Sequence, residues 1–215
     1  MADADSMAGL SMRAVAERLG RTSMALYTYV PGKAELLDLM YDRAHAELAA
    51  GQAPDADWRT AVTSWATELR AFYLRHPWVL QVSYARPVLG PHEQAVLESL
   101  ASVLYGAGLP SRPLRAIVSS LFHFVRGSAQ TAAESRRAAA ETGVSDEEWW
   151  AGRSALLKEA APDFAERFPL SVRLATEATP VSEGESGSAP SWEQEVEDTF
   201  AVGLGVLLDG IAAAG

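Results

Sequence analysis

The amino-acid sequence predicts an all-α fold, with a small N-terminal unit and a larger C-terminal unit. Alanine, leucine, glutamate and arginine dominate the chain, and these residues favour helices. No segment alternates apolar and polar residues for long, and clusters of β-branched residues are sparse, so strands are not indicated. Proline and glycine separate stretches in which apolar residues recur at helical spacing.

These breaks define the predicted helices in chain order. The N-terminal unit, residues 1–52, is predicted to contain helices at 11–19, 23–29 and 33–49. The sequence "AAGQAPDAD" separates it from the unit at 53–215. The second unit is predicted to contain helices at 58–75, 78–84, 92–105, 113–141, 146–160, 170–178 and 192–213. Residues 179–190 are rich in Ser, Gly and Pro, which predicts a mobile loop.

Composition excludes several classes of protein. The chain has 215 residues, no cysteine and a formal net charge of −10, and no apolar run is long enough to span a membrane. It begins without a basic, apolar signal segment, so we predict a cytoplasmic protein. Its four histidines are not paired at helical spacing and no nucleophile motif is present, so we predict no enzyme activity, no metal and no cofactor.

Residues 10–33 form a predicted helix-turn-helix. Val15, Leu19, Leu26 and Val30 lie on either side of a turn at Gly20, so two short helices can share one apolar seam. Ser11 or Ser23 can cap the helix that each precedes. The second helix would expose small and hydroxyl-bearing side chains, which suit the major groove of DNA. The segment carries three net positive charges although the chain is acidic, and only the contacting face must meet phosphates.

The sequence "LSMRAVAERLGRTSMALYTYVPGKAELLDLM" resembles the DNA-binding domain of the TetR (tetracycline-repressor-like) family of transcriptional regulators. The resemblance covers Leu10 to Gly20 and Leu26 to Leu37. It implies that Ser23, Met24, Ala25 and Thr28 face base edges, that Tyr27, Tyr29 and Lys33 hold phosphates, and that Ser11, Met12 and Arg13 lie at the groove edge. Arg13 is the side chain in this set that can bind guanine through two hydrogen bonds. In the family an amphipathic helix precedes this motif, whereas nine residues precede Leu10 here, so we expect either a truncated first helix or a true start upstream.

The C-terminal unit resembles the family's ligand-binding and dimerisation domain, most clearly in its last helix. Trp192, Val196, Phe200, Leu204 and Ile211 form an apolar stripe there, and Gly203, Gly205 and Gly210 suggest the close approach of another helix. A second apolar stripe begins at Leu114. The resemblance therefore implies a homodimer through residues 113–141 and 192–213, although both stripes could instead be intramolecular core.

A small-molecule pocket needs apolar walls with a few polar groups. Candidate lining residues at helical spacing are Trp65, Leu69, Phe72, Phe122, His123, Arg126 and Gln130. Tyr84, Tyr105, Trp149 and Trp150 are candidates to close it. For each aromatic residue taken alone, plain core is the favoured alternative to a ligand contact.

Three functional hypotheses follow. The first is a homodimeric regulator, a repressor released from operator DNA by a small molecule. The second is a helical dimer that binds a small molecule but no longer binds DNA, in keeping with the short N-terminus and the acidic balance. The third is a structural helical adaptor.

Overall fold

The computed structural model describes residues 3, 7–48, 57–176 and 192–213, and every regular element in these ranges is helical, which confirms the all-α prediction. The chain divides into two compact units, Met1–Ala133 with Val202–Gly215, and Glu134–Ala201. Of the truncated helix expected before Leu10, only residue 3 and the 3-10 turn Met7–Gly9 are described, and the boundary near Gln52 and the loop at 179–190 lie outside the described residues. Across the described ranges, no helix combines the length and apolar content that crossing a bilayer requires.

The α-helices follow the predicted order closely. They are α1 (Met12–Arg18), α2 (Ser23–Tyr27), α3 (Lys33–His45), α4 (Trp58–Arg75), α5 (Pro91–Gly106), α6 (Ser111–Thr142), α7 (Asp146–Ala160), α8 (Phe164–Arg167), α9 (Pro169–Thr176) and α10 (Trp192–Ala213). Short 3-10 helices occupy Met7–Gly9, Ala46–Leu48 and Pro77–Gln81. The prediction of an α-helix at 78–84 is wrong, because the 3-10 turn ends at Gln81 and the backbone is extended at Val82.

Local hydrogen bonds explain where α1 and α2 begin. The Ser11 hydroxyl accepts the Ala14 N–H at 3.1 Å and caps α1, as predicted. Thr22, not Ser23, caps α2, because its hydroxyl accepts the Ala25 N–H at 3.2 Å. Gly20 has a φ of 64° in the turn between them, a conformation that glycine adopts without steric cost.

A small apolar core holds these helices against α3. Met12, Val30 and Leu36 are buried together, and Val15 and Leu26 pack against them. The prediction that Leu19 belongs to this seam is wrong, since it follows the last turn of α1 and is 62% exposed.

The larger core of the first unit lies among α4, α5 and α6. Phe72 of α4, Leu100 and Leu104 of α5, and Leu121 and Val125 of α6 are fully buried. Burying side chains of this size contributes roughly 1.5–3 kcal/mol each to stability. This core fixes α5 and α6 as rigid walls.

Helix α10 adds a buried stripe to the first unit through Leu204, Leu208 and Ile211. The close approach expected at its glycines is intramolecular at Gly203, where a Cβ atom would lie 2.8 Å from Cε2 of Phe124 in α6. At Gly205 and Gly210 an added Cβ would meet nothing within 4 Å.

Within the second unit, aromatic contacts link α7 and α10, and a capping box begins α7. Trp150 packs on Trp149, with ring centroids 4.9 Å apart, and on Trp192, at 6.1 Å. The Ser145 side chain and Glu148 exchange hydrogen bonds with each other's backbone at the start of α7.

The junction between α3 and α5 depends on Asp42. Helix α5 begins after Gly90 with Pro91, and neither residue supplies a side-chain cap. Asp42 of α3 supplies it instead: its Oδ1 accepts the N–H of His92 at 2.8 Å and of Glu93 at 3.0 Å. Its Oδ2 lies 2.8 Å from His92 Nδ1, which donates to it. A carboxylate here also interacts favourably with the positive end of the α5 dipole.

Gly90 makes room for this carboxylate. Its φ of −73° is open to any residue, so the requirement for glycine is steric. A Cβ atom at position 90 would lie 2.1 Å from Asp42 Oδ1 and 2.2 Å from its Cγ, far inside contact distance.

Gly90→Ala should therefore displace Asp42 and leave the first amides of α5 without acceptors. We expect the free energy of unfolding to fall by about 1–3 kcal/mol, measured by urea denaturation. Gly106→Ala, at the far end of α5, is the matched control: its Cβ would meet nothing within 4 Å, so stability should hold or rise by up to about 1 kcal/mol. Equal stability of the Gly90→Ala variant and the wild type would contradict this account of the junction.

Candidate nucleic-acid interface and ligand cavity

Helix α2 and the residues beside it form an exposed surface that carries nearly all of the predicted DNA contacts. Met24 is 77% exposed and Tyr29 is 84% exposed, although both are large apolar or aromatic side chains. The other predicted contacts that are exposed or half-buried here are Ser11, Arg13, Ser23, Ala25, Tyr27, Thr28 and Lys33. Such exposure costs stability unless a partner covers the surface, and aromatic hydroxyls suit a phosphate-bearing partner.

Met12 does not belong to this surface. Its side chain is 6% exposed and packs with Val30 and Leu36 in the head core. The prediction that Met12 lies at a groove edge is therefore corrected: Met12 supports α1 from within. Thr28 ends α2, and its hydroxyl donates to the Met24 carbonyl at 3.2 Å, which orients it along the helix.

A cavity of about 390 Å³ lies in the first unit, within the size range of small-molecule sites. Helices α3 to α6 and the segment before α5 supply its walls. The lining residues are Tyr41, His45, Tyr73, Tyr84, Pro87, Leu89, Glu93, Gln94, Val96, Leu97, Arg115, Val118, Ser119 and Phe122.

The structure places Tyr84 and Phe122, two of the predicted ligand contacts, on the cavity wall. Their rings stack with centroids 6.2 Å apart. Trp65 supports Phe122 from behind, edge to face at 4.9 Å, and His123 contacts Tyr84 at 5.3 Å.

Arg126 braces the same wall without lining the cavity. Its Nη2 donates to the carbonyl oxygens of Leu80 at 2.6 Å and Val82 at 2.8 Å. The guanidinium carbon lies 5.8 Å from the Tyr73 ring centroid and 5.6 Å from that of Tyr84. Arg126 therefore fixes the extended segment before α5 and the tyrosines that face the cavity.

The remaining predicted contacts do not line this cavity. Leu69 and Phe72 are core residues, although Phe72 packs on the cavity residue His45 at 4.9 Å. Tyr105 is 62% exposed near the end of α5. Gln130 lies further along α6, beyond the lining residues, and Trp149 and Trp150 belong to the second compact unit.

Sequence reasoning missed the contribution of α3 to the cavity. Tyr41 and His45 are four residues apart and both are buried, with ring centroids 4.3 Å apart. A buried aromatic and histidine at this spacing, on a helix otherwise assigned to the head, was the available signal. Helix α3 thus carries Lys33 at one end and cavity residues at the other.

Burial governs the titration of the cavity groups. It lowers the pKa of His45, whose Nδ1–H donates to the Tyr41 carbonyl at 2.8 Å, so the ring is neutral. Burial raises the pKa of Tyr73 to about 12 and also raises that of Tyr84. Burial and the nearby Asp42 charge raise the pKa of Glu93, against the hydrogen bonds that its carboxyl receives.

Asp42 titrates in the opposite direction. Partial burial alone would raise its pKa, but the hydrogen bonds from the His92 side chain and from the amides of His92 and Glu93 outweigh that effect and hold the pKa below its usual range. The ionised cap therefore contributes stability above the unfolded pKa and loses it as the pH falls through the folded pKa. Near neutral pH, Asp42 is charged and the junction is complete.

The described residues contain no group of three or more His, Asp or Glu side chains placed to hold a metal ion.

Comparison with known proteins bears on both sites. Residues 50–214 match the family model of the tetracyclin repressor-like, C-terminal domain. The chain is 35% identical over 212 residues to the HTH-type transcriptional repressor DrrR1 of Streptomyces coeruleorubidus, covering 98% of this chain and 73% of that protein. It is 32% identical over 126 residues to an HTH-type transcriptional regulator of Saccharopolyspora erythraea, covering 59% of this chain and 53% of that one.

Solved structures share the fold. The Streptomyces coelicolor TetR family protein ActR, crystallised in complex with actinorhodin, superposes with a TM-score of 0.75 and 26% identity over 100% of this chain and 92% of that chain. Mycobacterium smegmatis BioQ superposes with a TM-score of 0.62 at 21% identity, covering 100% of this chain and 92% of that chain, which shows the shared fold alone.

Proposed function

The chain belongs to the TetR family of transcriptional regulators, and on that premise we propose that it is a homodimeric repressor which a small molecule releases from its operator. The observation that carries the proposal is the placement of α3. This helix of 13 residues begins at Lys33, beside the exposed α2 surface, and ends at the cavity residue His45. The repressor name of DrrR1 and the ligand-bound structure of ActR support the sign of regulation and the presence of an effector.

The proposed DNA contacts divide by chemistry. Arg13, Tyr27, Tyr29 and Lys33 would hold phosphates or the groove edge, and Ser23, Met24, Ala25 and Thr28 would face base edges. Ser11 would contact the backbone while it caps α1. In a two-fold dimer the two α2 helices would enter successive major grooves, roughly 34 Å apart.

The effector would act through α3. Lys33 and Tyr41 are eight residues apart, about 12 Å along the same helix. A shift of Tyr41 at the cavity wall would therefore also move Lys33 in the head. Asp42 directly follows Tyr41 and ties α3 to α5. An effector that fits the cavity better when α3 has moved lowers operator affinity by the ratio of its affinities for the two states.

The proposed dimer forms through α6 and α10, around residues 113–141 and 192–213. Val202 and Val206 are four residues apart on α10 and are 59% and 66% exposed, while Leu204 and Leu208 on the other face are buried. Gly205 and Gly210 also leave open space for a second helix. These features favour a symmetric helix-helix interface.

Operator binding tests the proposal. DNA from upstream of the chain's own gene should be retarded in a mobility-shift assay, and the logarithm of the affinity should fall linearly with the logarithm of salt concentration. Lys33→Ala should weaken binding and reduce that slope by about 1, since one phosphate contact is lost. Lys158→Ala removes an exposed cation on α7, outside the head and the proposed dimer interface; it is the control and should leave the slope unchanged. Failure of the wild-type chain to bind any of this DNA would sink the repressor assignment and favour a small-molecule-binding dimer.

Val206→Glu should break the dimer, because a charge would be buried against its symmetry mate. Light scattering after size-exclusion chromatography should give the mass of a monomer. Leu170→Glu is the matched control: Leu170 is 75% exposed on α9, outside the proposed interface, and the variant should stay dimeric. A Val206→Glu variant that remains a dimer would place the interface elsewhere.

A further inference from the structure

Glu93 places a carboxylate in the cavity wall, and no cationic side chain among the described residues forms an ion pair with it. Among the described residues that line the cavity, it is the only carboxylate. No ion pair to Glu93 forms between described residues; its Oε2 accepts the Leu89 N–H at 2.6 Å, and the Gly90 amide and the Tyr41 hydroxyl also donate to its carboxyl group. Asp42 of α3, which caps the start of α5, places a second negative charge near Glu93.

None of the described cationic side chains near the cavity forms an ion pair with Glu93, although Nη1 of Arg126 is buried without a hydrogen-bond partner. Arg126 lies behind Tyr73 and Tyr84 and donates to two backbone carbonyls. Arg115 lines the cavity but is exposed. His92 is held by Asp42. A partly buried carboxylate without a cationic partner is costly, so a cation supplied by the ligand would be strongly favoured at Glu93.

Four aromatic rings form part of the remaining cavity wall. Tyr41, Tyr73, Tyr84 and Phe122 all line the cavity. Aromatic faces attract cations as well as planar apolar groups, so these walls and Glu93 select for the same kind of molecule.

We propose that the effector is an aromatic molecule carrying a protonated amine, with Glu93 pairing with the nitrogen and Tyr84 and Phe122 packing against the rings. This inference rests on the proposed function, since it names the effector's chemical class. The positive charge of the ligand would then lie beside the hydrogen bonds that fix the start of α5. Glu93 holds the amide of Leu89, which has a φ of 58°, and lies in the turn of α5 that Asp42 caps.

A pair of three-ring probes of opposite charge tests the proposal without DNA. Proflavine is a cation near pH 7.5 and acridine-9-carboxylate is an anion, and the binding of each to the full chain can be followed by fluorescence polarisation. The wild type should bind proflavine at least about tenfold more tightly, the effect of one charge-assisted hydrogen bond.

Two variants assign that preference to Glu93. Glu93→Gln keeps an oxygen that can accept the Leu89 N–H but removes the charge, so proflavine affinity should fall about tenfold while binding of the anion holds or strengthens. Glu98→Gln removes an exposed charge from the same helix and should behave as the wild type. Thermal unfolding of both variants shows whether the fold is retained.

Several results would overturn the proposal. They are no binding of proflavine, equal or tighter binding of acridine-9-carboxylate by the wild type, or an unchanged cation preference in a folded Glu93→Gln variant. Operator binding is measured separately. A chain that binds its operator but shows no cation preference defeats this inference alone, whereas a cation preference without operator binding defeats only the repressor assignment.

Discussion

Helix α5 begins at a glycine and a proline, neither of which can satisfy the amides of its first turn, and Asp42 of α3 satisfies them instead. The rest of the first unit depends on this contact. It joins the helix that leaves the head to the helix that forms a wall of the cavity. The carboxylate fits only because position 90 has no Cβ atom. The link is therefore a charged, hydrogen-bonded contact that requires glycine at position 90.

Such a contact suits a two-state regulator. The apolar core beneath it is rigid, since Phe72, Leu100 and Leu121 are fully buried, so a change at the cavity passes to the few elements that can shift. Helix α3 is one of them: its first residue lies beside the α2 surface, and Tyr41 and His45 line the cavity. In the proposed repressor, the position of α3 would decide whether the exposed tyrosines and Lys33 match the spacing of the operator.

Local patterns in the sequence were sufficient for much of the fold. Helical spacing and the Pro and Gly breaks located α4, α6 and α7 within two residues of their ends, and the turn at Gly20 follows from its lack of a side chain. The head motif indicated the exposed surface except at Met12, because a motif does not say which side of a short helix faces the core. The cavity was harder to predict. Helical spacing indicated Phe122, and Tyr84 was a candidate to close the pocket. Tyr41, Glu93 and the Asp42–Gly90 contact instead join segments about fifty residues apart, and no local pattern encodes such pairs.

The most direct test of the central claim is amide hydrogen exchange at His92 and Glu93, measured by NMR with and without operator DNA. If the Asp42 contact belongs to the DNA-binding state, operator binding should slow exchange at these two amides, although they lie on α5 and outside the predicted DNA surface. Asp42→Asn should abolish that response. Exchange rates at His92 and Glu93 that are the same with and without bound operator would contradict the claim that this contact links the cavity to the head.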